Sequence, residues 1–294
     1  MAEHRYDTIS FLSDYGLADE FVGVVRSVIR TTAPHVTVID VTHGIAAHDV
    51  RAGGLALARS AQYLSPGVVL AVVDPGVGTD RRAIAVEVGD GESVLVGPDN
   101  GLLAPAVALV GGATRVVELT STEHRLTSPG PTFDGRDVFA PAAAHLCCGV
   151  ALDALGPEID PGSLRPGILP VPQVTHGGLG TEVLWVDRYG NVQLNVGPDD
   201  LADLGSDTDD VVAVRTESGQ RTARRVRTYA ELGPGQLGLA VDSYGLLALV
   251  CDQRSAATEL DVGPSDAVTL SAVTEGGRLA DAGANSPVAL RRRP

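Results

Sequence analysis

Four aspartate-bearing turns hold the side chains best suited to chemistry: Asp14-Tyr15-Gly16, Asp74-Pro75-Gly76, Asp134 with Asp137 in the run Phe133 to Asp137, and Asp187 in D-R-Y-G-N. Each follows a predicted strand or opens a predicted helix, with glycine two or three residues on at most. An ionised carboxylate accepts from paired hydroxyls or an ammonium, and glycine lets the backbone turn sharply beside a ligand. A single aspartate of this kind is an ordinary turn residue or helix cap. Several together favour one shared cleft.

The clearest case is Val68 to Arg82, V-V-L-A-V-V-D-P-G-V-G-T-D-R-R. An apolar β-branched strand ends in Asp74, and a Pro-Gly turn leads on to two arginines. This puts Asp74 at the carboxyl edge of a sheet, where open α/β sheets bind ligands. Arg81 is near enough in sequence to fold back on Asp74 as an ion pair. Taken alone, the stretch reads equally as a strand, a turn and a surface salt bridge.

The elements that must position these groups follow in order. Thr8 to Ser13 reads as a buried strand. Glu20 to Thr32 has helical spacing at Phe21, Val24, Val25, Val28 and Ile29. Val36 to Val41 is a second strand. Asp49 to Tyr63 is a helix capped by Asp49, and Val68 to Val73 is a third strand. This βαβαβ order predicts an α/β domain with a mainly parallel sheet. Ala83 to Val88 and Ser93 to Val96 form a hairpin. An apolar helix runs through Val110, a strand spans Arg115 to Leu119, and a helix opened by Thr132 to Asp137 stops at Gly149.

Residues 1–155 therefore make the first domain. Gly156 to Pro172 holds five prolines and reads as a linker. Residues 173–272 carry seven short strands between Gly, Asp and Pro turns, interrupted only by a short helix near Asp199 to Leu204. That pattern predicts a smaller all-β, barrel-like domain. Residues 273–294 read as a solvated tail, and no internal repeat is apparent.

Composition excludes several classes. A net charge of −15 argues against a nucleic-acid partner. All 22 basic residues are arginine, so there is no lysine for a Schiff base or a P-loop. No apolar run is long enough to span a membrane. The opening M-A-E-H-R-Y-D has no secretory character. Cys147, Cys148 and Cys251 lack metal spacing, which suggests free thiols and a cytoplasmic protein.

Six fragments together are specific: F-L-S-D-Y-G-L-A-D-E-F-V-G-V-V, D-V-T-H-G-I-A-A-H-D-V-R-A-G, V-V-D-P-G-V-G-T-D-R-R, V-G-P-D-N-G-L-L, T-F-D-G-R-D-V-F-A-P-A-A-A-H-L and D-R-Y-G-N-V-Q-L-N. In that order, from about Ile9 to Leu270, the chain resembles the S-adenosyl-L-methionine (SAM) hydroxide adenosyltransferase family, the SAM hydrolases related to the fluorinase and chlorinase. The resemblance implies conversion of SAM and water to adenosine and L-methionine, with no metal and no cofactor beyond the substrate. It also implies a homotrimer, each site lying between the first domain of one subunit and the second domain of the next.

Residue by residue, Asp14 matches the family aspartate that accepts from both ribose hydroxyls. Asp74 and Arg81 match two members of the Asp, Arg, His set around the water. The family histidine belongs in T-F-H-G-R-D, where this chain has Asp134. An aspartate is a weaker base than histidine near neutral pH, and beside Asp74 it would raise the pKa of one of the pair. Ser243 matches the serine that meets the methionine carboxylate. Asp187 suits the methionine ammonium and Asn191 the adenine edge, although both also fit a hairpin turn. Tyr15 and Phe133 either stack on the nucleoside or pack in the core. Asp19 belongs to the ribose or nucleophile region, or supplies charge at a helix start.

His43, His48 and His124 are possible substitutes for the missing histidine, while His145 reads as packed. Arg136 and Asp137 are expected in structural pairs at the helix start. Asp99 and Asn100 are expected to shape the pocket floor. Two alternatives to hydrolysis remain: a non-catalytic nucleoside-binding protein, and a SAM-dependent halogenase.

Overall fold

The computed structural model describes residues 5–175, 178–204 and 211–273. The tail expected from 273 lies outside these beyond Val273. The chain divides into two compact units at Pro170/Val171.

The first unit carries β1 (Thr8–Ser13), α1 (Phe21–Thr32), β2 (Thr37–Thr42), α2 (Val50–Ala61), β3 (Val68–Val72), β4 (Ala83–Val88), β5 (Ser93–Pro98), α3 (Ala104–Leu109), β6 (Arg115–Glu118) and α4 (Ala140–Cys147). Its strands run in the order β2-β1-β3-β5-β4-β6. The pairs β1–β2, β1–β3 and β3–β5 are parallel, and β4 is antiparallel to both its neighbours. The mainly parallel sheet expected from the βαβαβ pattern is present.

Alternation along β3 explains the layers. Val68, Leu70 and Val72 join the core under α1 and α4, whereas Val69 and Ala71 join the core under α2 and α3. A strand buried on both faces has no polar position to spare, which is why it reads as an unbroken apolar run. Asp49 caps α2 by accepting from Ala52 N at 2.8 Å, a contact worth about 1 kcal/mol.

The proline-rich stretch is not a free connector along its first half. Glu118 N donates to Pro157 O and Ile159 N to Val116 O, so the segment lies against β6. Arg82 Nη1 reaches Ser163 Oγ at 3.0 Å, and Arg165 N reaches Asp99 Oδ1 at 2.9 Å. Proline carbonyls still accept at a sheet edge even though proline cannot donate there.

The second unit adds β7 (Gln173–Thr175), β8 (Gly178–Val186), β9 (Val192–Leu194), β10 (Val211–Thr216), β11 (Gly219–Arg225), β12 (Leu237–Val241), β13 (Leu247–Cys251), α5 (Ala256–Leu260) and β14 (Ala267–Ala272). Strand order is β14-β10-β11-β12-β13-β9-β8-β7, and β14 also pairs with β8. Strands β8 to β14 thus close into a seven-stranded barrel, with β7 attached outside. Only β11–β12 is parallel, through two residue pairs. The barrel interior takes alternate residues: Val192 and Leu194 from β9, Val212 and Val214 from β10, Leu247 and Leu249 from β13. Sequence reading missed β7, which is only three residues long, and α5, which Ser255 caps by accepting from Thr258 N.

Candidate active site

In the first unit, Asp14 follows β1, His48 lies in the loop after β2, Asp74 follows β3, and Asp134 precedes a π turn (Gly135–Phe139) that runs into α4. All four line one cavity of about 340 Å3, with Tyr15, Asp19, Phe21 and Phe133. Three carboxylates far apart in sequence therefore share one hollow at the carboxyl ends of parallel strands.

Arg81 organises two of them. Its Nε donates to Asp74 Oδ1 at 2.9 Å and Oδ2 at 3.0 Å, and its Nη2 donates to both Asp74 Oδ2 and Asp134 Oδ2. The three side chains are only 9%, 6% and 18% exposed for Arg81, Asp74 and Asp134. Burial alone would lower the arginine pKa. The bonds and charge of Asp74, then those of Asp134, outweigh this and hold it above its usual value. Behind the guanidinium lies the fully buried Phe139 ring, 5.2 Å from Arg81 Cζ. The Arg81–Asp74 ion pair expected from the sequence is present, and Asp134 shares the same cation.

The turn between Asp74 and Arg81 is set by backbone fit. Gly78 has φ +79°, and a Cβ there would stand 2.8 Å from Pro131 O, so the turn lies directly on the chain leading to Asp134. Gly135 is equally constrained, since any Cβ would overlap the Tyr15 hydroxyl. Tyr15 packs against Phe21 and Phe133 with ring centroids 5.7 and 5.6 Å away. These rings form one aromatic wall of the cavity. Burial first, and then Asp14, Asp74 and Asp134, push the Tyr15 phenol far above its ordinary pKa. It stays protonated.

Asp14 is held from below. Its Oδ2 accepts from His48 N at 2.9 Å, and His48 has the left-handed φ of 70°. Ser13 Oγ and His43 Nδ1 are 2.8 Å apart, Tyr15 N donates to Ser13 Oγ at 3.3 Å, and Gly16 N donates to His43 O at 2.8 Å. With Tyr15 N on one lone pair, the Ser13 hydroxyl keeps a proton and a second lone pair, so its contact with Nδ1 fits either tautomer. His43 Nε2 lies 3.1 Å from Asp40 Oδ1, at an angle that misses a hydrogen bond. Burial first, then Arg26, hold His43 below its ordinary pKa. His43 is thus an anchor under the Asp14 turn. It does not line the cavity, and neither do His124 and His145, whose rings meet edge to face with centroids 4.8 Å apart.

Other expected residues are structural. Arg136 pairs with Asp137 at 2.7 and 2.9 Å. Asp99 and Asn100 do not line the cavity. Asp99 binds Arg82 and Arg165 N, while Asn100 Nδ2 tethers Val73 O at 2.8 Å, just ahead of Asp74.

Asp187, Asn191 and Ser243 lie in the second unit, around a cavity of about 430 Å3. Asp187 and Asn191 also line a neighbouring one of about 580 Å3 with Tyr189, Arg254 and Ser255. Asp187 Oδ1 accepts from Tyr189 N and Asn191 N, and its Oδ2 accepts from Asn191 Nδ2 at 2.8 Å. One amide proton of Asn191 is therefore committed, and its carbonyl oxygen faces no such claim from Asp187. A second turn of the same design escaped sequence reading. Asp242 Oδ1 accepts from Tyr244 N and Leu246 N, and Oδ2 from Gln193 Nε2. The repeated D-x-Y-G of D-R-Y-G and D-S-Y-G was the available signal.

A three-layer α/β unit with convergent carboxylates, followed by a barrel with polar cavities on its wall, defines a protein built to hold a small polar ligand. The two halves match two family models, the SAM hydroxide adenosyltransferase N-terminal domain over residues 9–156 and the C-terminal domain over residues 181–269. An (R)-S-adenosyl-L-methionine hydrolase of Salinispora tropica is 44% identical over 264 residues, covering 90% of this chain and 97% of the relative. A protein of that name from Thermus thermophilus is 39% identical, covering 84% and 93%. A crystal structure of an uncharacterized conserved protein from Thermotoga maritima superposes with TM-score 0.83 at 33% identity, covering 90% and 100%. The chain belongs to the SAM hydroxide adenosyltransferase family.

Among the described residues, no three His, Cys, Asp or Glu side chains gather as a metal cluster, and no helix is long and apolar enough to cross a membrane.

Proposed function

We propose that this chain hydrolyses S-adenosyl-L-methionine to adenosine and L-methionine. The carrying observation is the cavity in which Asp14, Asp74 and Asp134 converge, with Arg81 joining the last two. The hydrolase relatives support the same reading.

Asp14 accepts from both ribose hydroxyls, and the wall of Tyr15 and Phe133 packs on the nucleoside, with Asp19 at its rim. Asp74 and Asp134 keep lone pairs beyond those used by Arg81, and these hold the water. Water attacks the ribose 5′ carbon in line. The C5′–O bond forms as the C5′–S bond breaks, the electron pair leaves on the methionine sulfur, and the water proton passes through a carboxylate to solvent. A sulfonium is a good leaving group, so orientation and a dry pocket supply most of what is needed, and no metal takes part. Asp187 and Ser243 hold the ammonium and carboxylate of the amino acid, and Asn191 meets the adenine edge. In this reading the protein is a cytoplasmic homotrimer whose neighbouring copies share each site.

Incubating the purified protein with SAM, with and without chloride, and separating the products by chromatography tests it. Adenosine and methionine are expected in both cases. A chlorinated nucleoside would make the chain a halogenase. Adenosine binding without turnover would make it a nucleoside-binding protein.

A further inference from the structure

Gln193 sits between Val192 and Leu194, both fully buried in the barrel interior, so its side chain points to the opposite face of β9. There it lines the 430 Å3 cavity while being only 2% exposed. Its Nε2 donates to Asp242 Oδ2 at 2.5 Å. An ionised carboxylate only accepts, so the amide nitrogen is necessarily the atom facing Asp242. The carbonyl oxygen Oε1 is then fixed on the other side, where it is buried and has no hydrogen-bond partner among the described residues.

A buried acceptor without a donor is costly, and native proteins keep few of them. The surroundings define the missing donor. Asp187 and Asp242 both line the cavity, with Trp185 and Tyr244 beside them. Among the described residues the one cation in its lining, Arg227, is 96% exposed and stands 3.9 Å from Glu231. Acceptors and aromatic faces outweigh positive charge, and such a lining suits a compact cation with several N–H groups.

We propose that Gln193 Oε1, aimed by Asp242, is an ammonium acceptor that makes the site select an α-amino acid end over one lacking nitrogen. This rests on the reading of the chain as a SAM hydrolase and adds a specificity-determining residue and its positioning partner to it. Gln193 acts by direct contact with the ammonium. Asp242 acts through Gln193, because its carboxylate decides which end of the amide faces the cavity.

The test uses the full chain. Inhibition of SAM hydrolysis by L-methionine is compared with inhibition by 4-(methylthio)butanoate, which lacks only the amino group. Gln193→Met keeps the volume and removes the acceptor. Asp242→Asn can donate, so the Gln193 amide turns over and presents its nitrogen to the cavity. Both variants are expected to raise KM for SAM about tenfold with kcat little changed, since the ammonium is remote from the reacting carbon. Both are also expected to lower the preference for L-methionine about tenfold. Folded variants that keep the wild-type preference would overturn the proposal. Direct calorimetry with L-methionine separates the two ideas. If the wild type turns over no SAM, the hydrolase reading fails. The acceptor assignment then stands only if methionine binds the wild type and loses its advantage over the deaminated compound in both variants.

Discussion

Asp134 accepts from Arg81 at 2.5 Å across 53 residues of chain, through the same guanidinium nitrogen that serves Asp74. A planar fork can hold two carboxylates in fixed directions, and an ammonium cannot. Arg81→Lys should therefore lower kcat about a hundredfold and reduce thermal stability, because it loosens a buried network. Steady-state kinetics with a melting curve checks this. A variant with wild-type kcat would show that Arg81 does not organise the site.

Replacing Asp134 separates charge from basicity. Asp134→His keeps a possible acceptor for Arg81 and adds a group that titrates near pH 6.5. SAM hydrolysis at pH 7 should rise several-fold, with a rate inflection near that pH. Asp134→Asn keeps an acceptor oxygen without charge, and should lower the rate about tenfold. Equal rates in all three proteins would remove Asp134 from water positioning.

Asp14 is oriented by His48 N, and in the proposed reaction it accepts from the two ribose hydroxyls. Asp14→Asn should weaken adenosine binding by roughly 10–100-fold, the scale of one or two charge-assisted bonds. 2′-Deoxyadenosine should bind the wild type more weakly than adenosine, and the variant should discriminate between them less. Calorimetry measures both. Undiminished discrimination would place the ribose elsewhere.

His43 makes stability depend on pH. Burial, and then Arg26, hold its folded pKa below the ordinary value, so the unfolded chain binds the proton more readily. Stability is full above about pH 6.5 and falls as the pH drops below that toward the lower folded pKa. His145, lowered by burial and then by His124, acts in the same direction. The melting temperature should be lower at pH 5.5 than at pH 7.5, and His43→Gln should narrow the gap without abolishing it. An unchanged gap in the variant would argue against the neutral imidazole under the Asp14 turn.

Much of this architecture is legible in the chain because its elements are locally determined. The apolar run of β3, the Asp49 cap and the hairpin of β4 and β5 each rest on residues close in sequence. The meeting of Asp14 and Asp74 follows from parallel strands ending on one side, and Asp134 joins them from the turn that opens the last helix of that unit. The role of His43 was hidden because it depends on Ser13, thirty residues earlier, and on burial. Gln193 was hidden for a related reason. Val-Gln-Leu reads as an ordinary strand until its partner Asp242, just after β12 and two strands along the sheet, is known. The bridging of two carboxylates by Arg81 needed the Gly78 turn to lie on Pro131, a fit that no local pattern encodes.

The second unit closes with an odd number of strands, and parity has a consequence. Directions that alternate around a ring return to their start only if the count is even, so seven strands must include a parallel neighbour pair. That mismatch falls at β11–β12, which pairs Arg224 with Gly238 and Arg225 with Leu239 and adds a bond from Val226 N to Leu239 O. Five of the six antiparallel seams are longer, and the sixth, β9–β13, is also held by two residue pairs. The cylinder should come undone first along these two short lines, and the amide protons there should exchange with solvent ahead of the rest.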